Sequence, residues 1–256
     1  MSDLSRYLPL SNRPKRDESA VTSTWTVELA EVLGALVAAL GPLPERAWAT
    51  TSRRPEWTVH DVVAHLVWRL STARGERWRT SARTLAEQGF SGAATELAIG
   101  RRAAASVDGT PAALLARLAR LRASAASAAG GAAAGGAGAG SAGDVTAHGA
   151  PSPASNGETL QTGIGSLAEA VIAALDVSAS LGVPIPVPER ACGAVALRRA
   201  LEAPTEIKAV TRGRTLAATD AEWSFGHGPV LQGTSAEILL FLYGRSDTAP
   251  RPAPPA

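Results

Sequence analysis

A histidine and three carboxylates have the types and spacing to do chemistry together: His65, Asp61, Glu169 and Asp176. His65 sits among valines and a leucine in WTVHDVVAHLVWR, residues 57–69. An imidazole in that setting is either a satisfied core side chain or a ligand or acid/base group. Asp61 lies one helical turn earlier, where a carboxylate can orient the ring, although an Asp/His pair on a solvated face accounts for it equally. Glu169 and Asp176 share one face of a later helix, with position 173 between them. Glu169 also completes a capping box with Ser166, and Asp176 is compatible with a water-facing position. On residue types alone, a metal or acid/base site between the two helices and a pair of ordinary helix surfaces both stay open. His60 points to another face of the His65 helix. His148 sits in an Ala/Gly-rich stretch, and His227 in an FGHGP turn that either faces a cleft or is simply exposed. Cys192 is the sole cysteine, which excludes an intramolecular disulfide and a CxxC motif and reads as a small core residue.

These side chains need helices to hold them. Apolar residues recur at helical spacing in TWTVELAEVLGALVAAL, from Val27 to Leu40, before Gly41 and Pro42 stop the pattern. Thr58 and Asp61 form a capping box with Trp57 as a staple onto Val62, so a second helix starts there and is expected to reach about Arg83. A third segment spans roughly residues 93–122, with a break expected near Gly109–Pro111 and a stripe of Leu114, Leu115, Leu118 and Leu121. Residues 123–143 are all Ala, Gly or Ser, so residues 123–157 read as a flexible insertion with little to bury. The fourth helix opens at Ser166 and closes at Gly182 and Pro184. A helix over 189–201 follows, then EIKAVTRG, TLAATD, WSFG and VLQG as short strands, and a last helix capped by Thr234 and Glu237. The organisation expected is a tail over 1–23, a helical domain over 24–183, a small α/β domain over 184–245, and a Pro-rich tail over 246–256.

Composition narrows the partners. At 256 residues and 45% apolar content the chain can bury a real core. Its net charge of +2 is carried by scattered arginine pairs with no continuous basic stripe, which disfavours nucleic acid. No apolar leader or uninterrupted span is evident, so export and membrane insertion are disfavoured and a cytoplasmic place, with a small-molecule substrate, is expected. Trp48 and Trp223 read as packing anchors, and Trp68 and Trp78 as lining the bundle.

WTVHDVVAHL, behind a helix and a Trp-bearing loop, resembles the N-terminal signature of the mycothiol-dependent maleylpyruvate isomerase family. DAEWSFGHGPVLQGTSAEILLFLYGR is similar to the end of that family's C-terminal domain, and together the two cover most of residues 24–245. The resemblance implies a DinB-like four-helix bundle followed by a small α/β domain. It implies a divalent metal, usually zinc, held by a His on the second helix and by a Glu and a His four apart on the fourth, with an Asp three residues further on. His65, Glu169 and Asp176 match that set, and Ala173 stands where the second His is expected. Mycothiol is the implied cosubstrate: its thiol adds to a cis double bond, and rotation and elimination give the trans isomer. A catalytic zinc normally has three protein ligands, so Ala173 implies a weakened site, an altered thiol-transfer role, or a binding or regulatory module on the same fold.

Overall fold

The computed structural model describes residues 25–54, 56–106, 109–135 and 160–254. The expected N-terminal tail, His148 and the later part of the low-complexity insertion lie outside them.

The helical part is built on α1 (Thr26–Leu40), α2 (Val59–Ser71), α5 (Pro111–Gly135) and α6 (Ile164–Leu181), with α1 and α2 each packed on both α5 and α6. The cause is legible in each helix. Leu29, Val32, Leu33, Leu36 and Leu40 make the buried stripe of α1, and Leu114, Leu118, Leu121 and Ala125 that of α5. Helix α6 is buried almost all round, from Leu167 to Val177. Among the described residues it is the one helix long and apolar enough to cross a membrane, and 61% of it is buried inside the protein.

Several expected boundaries move. Helix α2 ends at Ser71 rather than near Arg83: the Ser71 hydroxyl donates to the Val67 carbonyl, Thr72 turns extended, and α3 (Arg74–Glu87) starts afresh. The third segment does break, into α4 (Gly92–Ser106) and α5, with Pro111 at the first position of α5, where its missing N–H costs nothing. The first part of the expected insertion is helical: α5 runs on through residues 123–135, because alanine is the strongest helix former and Ala125 extends the leucine stripe into the core.

The C-terminal part has α7 (Glu189–Glu202), α8 (Thr205–Thr211), β1 (Thr215–Ala218), β2 (Ser224–Gly226), β3 (Val230–Gly233), α9 (Ser235–Leu242) and β4 (Arg251–Pro252). The sheet order is β2-β1-β3-β4, with β1 and β3 parallel and the outer pairs antiparallel. EIKAVTRG, expected as a strand, forms α8 instead. Pro204 opens it and no side chain of it is buried, so β-branched residues there have no sheet to join. The expected tail contributes β4, an edge strand in which Pro252 is tolerated because it has only one neighbour, β3. Leu216 and Leu231 of the sheet, Ile238 to Leu242 of α9 and the α1/α6 apolar faces form one continuous core. The whole is a helical N-terminal region joined to a small mixed sheet.

Candidate functional site

The floor of the site is set by α2 meeting α6. Thr58 caps α2: its hydroxyl accepts from the Asp61 backbone N–H, while Asp61 Oδ2 accepts from the Thr58 N–H and hydroxyl at 2.8 and 2.7 Å. Asp61 is thus committed to the helix start and is not the partner of His65 that the spacing suggested. His60 Nε2 lies 3.0 Å from the Gly109 carbonyl, away from the site. His65 packs edge-on to Trp57 at 5.2 Å between centroids and lies 6.0 Å from Trp68. Trp57 reaches this position because α4 carries Gly100 beneath it: a Cβ there would lie 2.1 Å from the Trp57 ring.

Glu169 is not a capping residue. Helix α6 begins at Ile164 behind Gly163, whose φ of 101° needs glycine, so Ser166 lies inside the first turn and Glu169 projects toward α2. There Arg69 donates from Nε and Nη2 to Glu169 Oε1 at 3.0 and 2.5 Å. Asp176, expected to be free to face water, is 0% exposed. Its Oδ1 accepts from the Arg53 N–H at 2.8 Å and the Ser180 hydroxyl at 3.3 Å, and its Oδ2 from Arg245 Nη1 at 2.8 Å. That carboxylate therefore ties the 50s loop and the end of the C-terminal part to α6.

His65, Glu169, Ala173, Asp176 and Arg245 together border one small cavity of about 20 Å³, roughly the room for a single water molecule. It adjoins a much larger cleft of about 1180 Å³. The cleft runs from His65 and Glu169 out between α3 and α4 on one side and Arg199, Tyr243 and Arg245 on the other. Trp78, expected to line the bundle, is 73% exposed and lines this cleft.

Burial and guanidinium charges together set the electrostatics of the floor. Burial, together with the charges of Arg69, Arg54 and Arg245, lowers the His65 pKa to about 4 against the opposing pull of Glu169. Part of the ring reaches the cleft, yet at neutral pH it is an uncharged imidazole. Burial alone would raise the Glu169 pKa. The charge of Arg69, then His65, and the hydrogen bonds from Arg69 outweigh it, and the carboxyl is held below the usual range. Cys192 is buried and its thiol pushed up to about 12, so it is inert. His227 is exposed in its turn.

The donor set can be tested against a metal. A closed or catalytic zinc site needs at least three protein ligands. Ala173 offers no lone pair, Glu169 is clamped by Arg69 and Asp176 by Arg245, so a cation would have to displace two guanidinium groups from the same oxygens. Among the described residues, no group of three His, Cys, Asp or Glu side chains is arranged to hold a metal ion. The residues present do not fit a three-ligand centre.

Sequence reasoning missed Arg54, Arg69, Arg199, Arg245 and Tyr243, all of which line the cleft. Arg69 had one available signal, since it lies one turn after His65 on the same face. Residues 29–147 match the family model described as the mycothiol maleylpyruvate isomerase N-terminal domain. No curated protein and no solved structure matches the chain.

Proposed function

From the match of residues 29–147 to the mycothiol maleylpyruvate isomerase N-terminal domain, we propose that the chain is a member of that family and that its cleft binds mycothiol and a second small molecule, in a site whose metal position has degraded. The packing of α1, α2, α5 and α6 supports the DinB-like bundle reading, and the cleft, at about 1180 Å³, is large enough for two small ligands. The observation that carries the proposal is the pairing of Glu169 with Arg69 beside Ala173, which supports reading this as a metal position taken over by a guanidinium.

The chemistry follows from the charges. His65, with a pKa near 4, is too weak a base to take a proton from an ordinary thiol of pKa ~8.5. The three arginine charges that depress His65 act in the opposite sense on a sulfur, favouring bound thiolate. A thiolate so bound adds to one carbon of a conjugated cis double bond, and the electron pair moves to the carbonyl oxygen, where a guanidinium can stabilise the enolate. Rotation about the new single bond and expulsion of the same thiolate restore the double bond in the trans form, with no net proton change. A thiol transferase differs only in retaining the sulfur on the product, with the enolate protonated.

The test is calorimetric titration with mycothiol alongside elemental analysis of the purified protein. Binding of one mycothiol per chain with substoichiometric metal is expected. A full equivalent of chelator-resistant zinc, or no heat with millimolar mycothiol, would overturn the reading. Ala173 favours a second reading, a binding or regulatory module without turnover. The two part on whether maleylpyruvate is converted when mycothiol is bound.

A further inference from the structure

The four arginines of the cleft are not equivalent. Arg69 is spent on Glu169, Arg245 on Asp176, and Arg54 stacks 4.0 Å over the Trp57 ring. Arg199 on α7 differs: its Nε donates to the Leu242 carbonyl at 2.9 Å and its guanidinium lies 4.7 Å from the Tyr243 ring centroid. Its two terminal nitrogens have no acceptor among the described residues. A guanidinium anchored through Nε and an aromatic face is held rigid, with its fork-shaped donor pair left for a ligand, and a carboxylate matches that pair in a bidentate fashion. Tyr243 beside it has its hydroxyl pushed up to about 12, chiefly by burial and by Glu169 against the opposing charge of Arg199, so it stays a neutral donor.

The other side of the same cleft carries aromatic and apolar side chains among the hydroxyls of Ser81, Ser91 and Thr95. Trp78 and Leu85 of α3 line it with Trp68 of α2 and Ile99 of α4. Helix α3 buries only Thr84 among its described side chains, so Trp78 at 73% exposure is presented to the cleft and not used for the core. An indole left in water beside an anion anchor suits a ligand with a flat apolar body rather than a wholly polar one.

We propose that Arg199 and Tyr243 form the carboxylate subsite for the second substrate of this cleft, a small monoanion whose aromatic or planar apolar body lies on Trp78 and Trp68. This names the substrate class within the function proposed above and rests on the cleft being a ligand site, but not on mycothiol. Because the anchor is a single unpaired guanidinium, affinity depends on the carboxylate, and because the body lies on indole rings, binding quenches tryptophan fluorescence.

The experiment titrates the full-length protein with 2-naphthoate, and in parallel with the uncharged 2-naphthalenemethanol, by calorimetry. One naphthoate per chain is expected, at least 10-fold tighter than the alcohol, with the preference shrinking as salt is raised. Arg199→Gln should remove the preference, whereas Arg198→Gln, on the neighbouring side chain that pairs with Glu202, should keep it. Trp78→Ala should weaken both ligands together. Equal affinity of the wild-type protein for acid and alcohol overturns the proposal without recourse to any variant, and so does a folded Arg199→Gln protein that retains the preference. Naphthoate binding without mycothiol binding would sink the earlier reading and leave this one standing. The reverse result would do the opposite.

Discussion

The joint between the helical region and the C-terminal sheet turns on one carboxylate, and breaking it has a calculable cost. Asp176 is 0% exposed and Arg245 retains 17%. Arg245→Met leaves Asp176 with the Arg53 N–H and the Ser180 hydroxyl, and deletes the only charged partner found for it among the described residues. Removing one member of a buried ion pair costs ~3–5 kcal/mol. The two surviving hydrogen bonds still satisfy one oxygen, which brings the expected loss to the bottom of that range or just below it, ~2–3 kcal/mol. At about 2–4 °C per kcal/mol for a domain of this size, the melting temperature should fall by about 4–12 °C. The double variant Asp176→Asn/Arg245→Met removes the stranded charge while keeping an acceptor for the Arg53 N–H. It should recover most of the loss, since a neutral pair avoids the cost of an uncompensated buried ion. Urea unfolding followed by circular dichroism measures both variants against wild type. A loss under about 1 kcal/mol for the single variant, or a double variant no more stable than the single, would refute the assignment of Asp176–Arg245 as the electrostatic tie between the two parts.

Other consequences are open to direct measurement. Ala173→His should raise bound zinc clearly above the parent level by elemental analysis, and more so when combined with Arg69→Ala, which releases Glu169; no gain in either would show that position 173 does not face the ligand cluster. Gly100→Ala drives a methyl into the Trp57 ring and should cost ~1–3 kcal/mol by overpacking, with a red-shifted tryptophan emission as Trp57 is displaced. His65 has a folded-state pKa near 4 against 6.5 for the free side chain, so the unfolded chain takes up the proton first as the pH falls. Its contribution is therefore full above about pH 6.5 and lost between 6.5 and 4, amounting to at most ~3 kcal/mol. His65→Gln should flatten the stability profile over that window, and an unchanged slope would count against the depressed pKa.

How much of this was legible beforehand depends on how far apart the interacting residues lie. Thr58 with Asp61 and Thr234 with Glu237 are capping boxes in the sequence and in the structure, because each involves residues three apart and needs nothing from the rest of the chain. Ser166 with Glu169 obeys the same local rule and fails. Gly163 lets α6 start earlier, and Arg69, a hundred residues away in sequence, offers Glu169 a charge where Ser166 offers only a backbone N–H. EIKAVTRG fails for a related reason: its β-branched residues report strand preference, but a strand exists only where a neighbour completes it, and β1 finds its partners in β2 and β3. The arginines make the same point about function. Read along the chain they are scattered pairs that exclude a nucleic-acid stripe. Folded, Arg54, Arg69, Arg199 and Arg245 come from four separate segments to one cleft; the charges of Arg69, Arg54 and Arg245 add to burial in keeping His65 neutral, and Arg69 keeps Glu169 ionised against it. A site made by convergence leaves almost no signature at any single position, which is why the histidine could be found from its neighbours in sequence while most of the cations gathered around it could not.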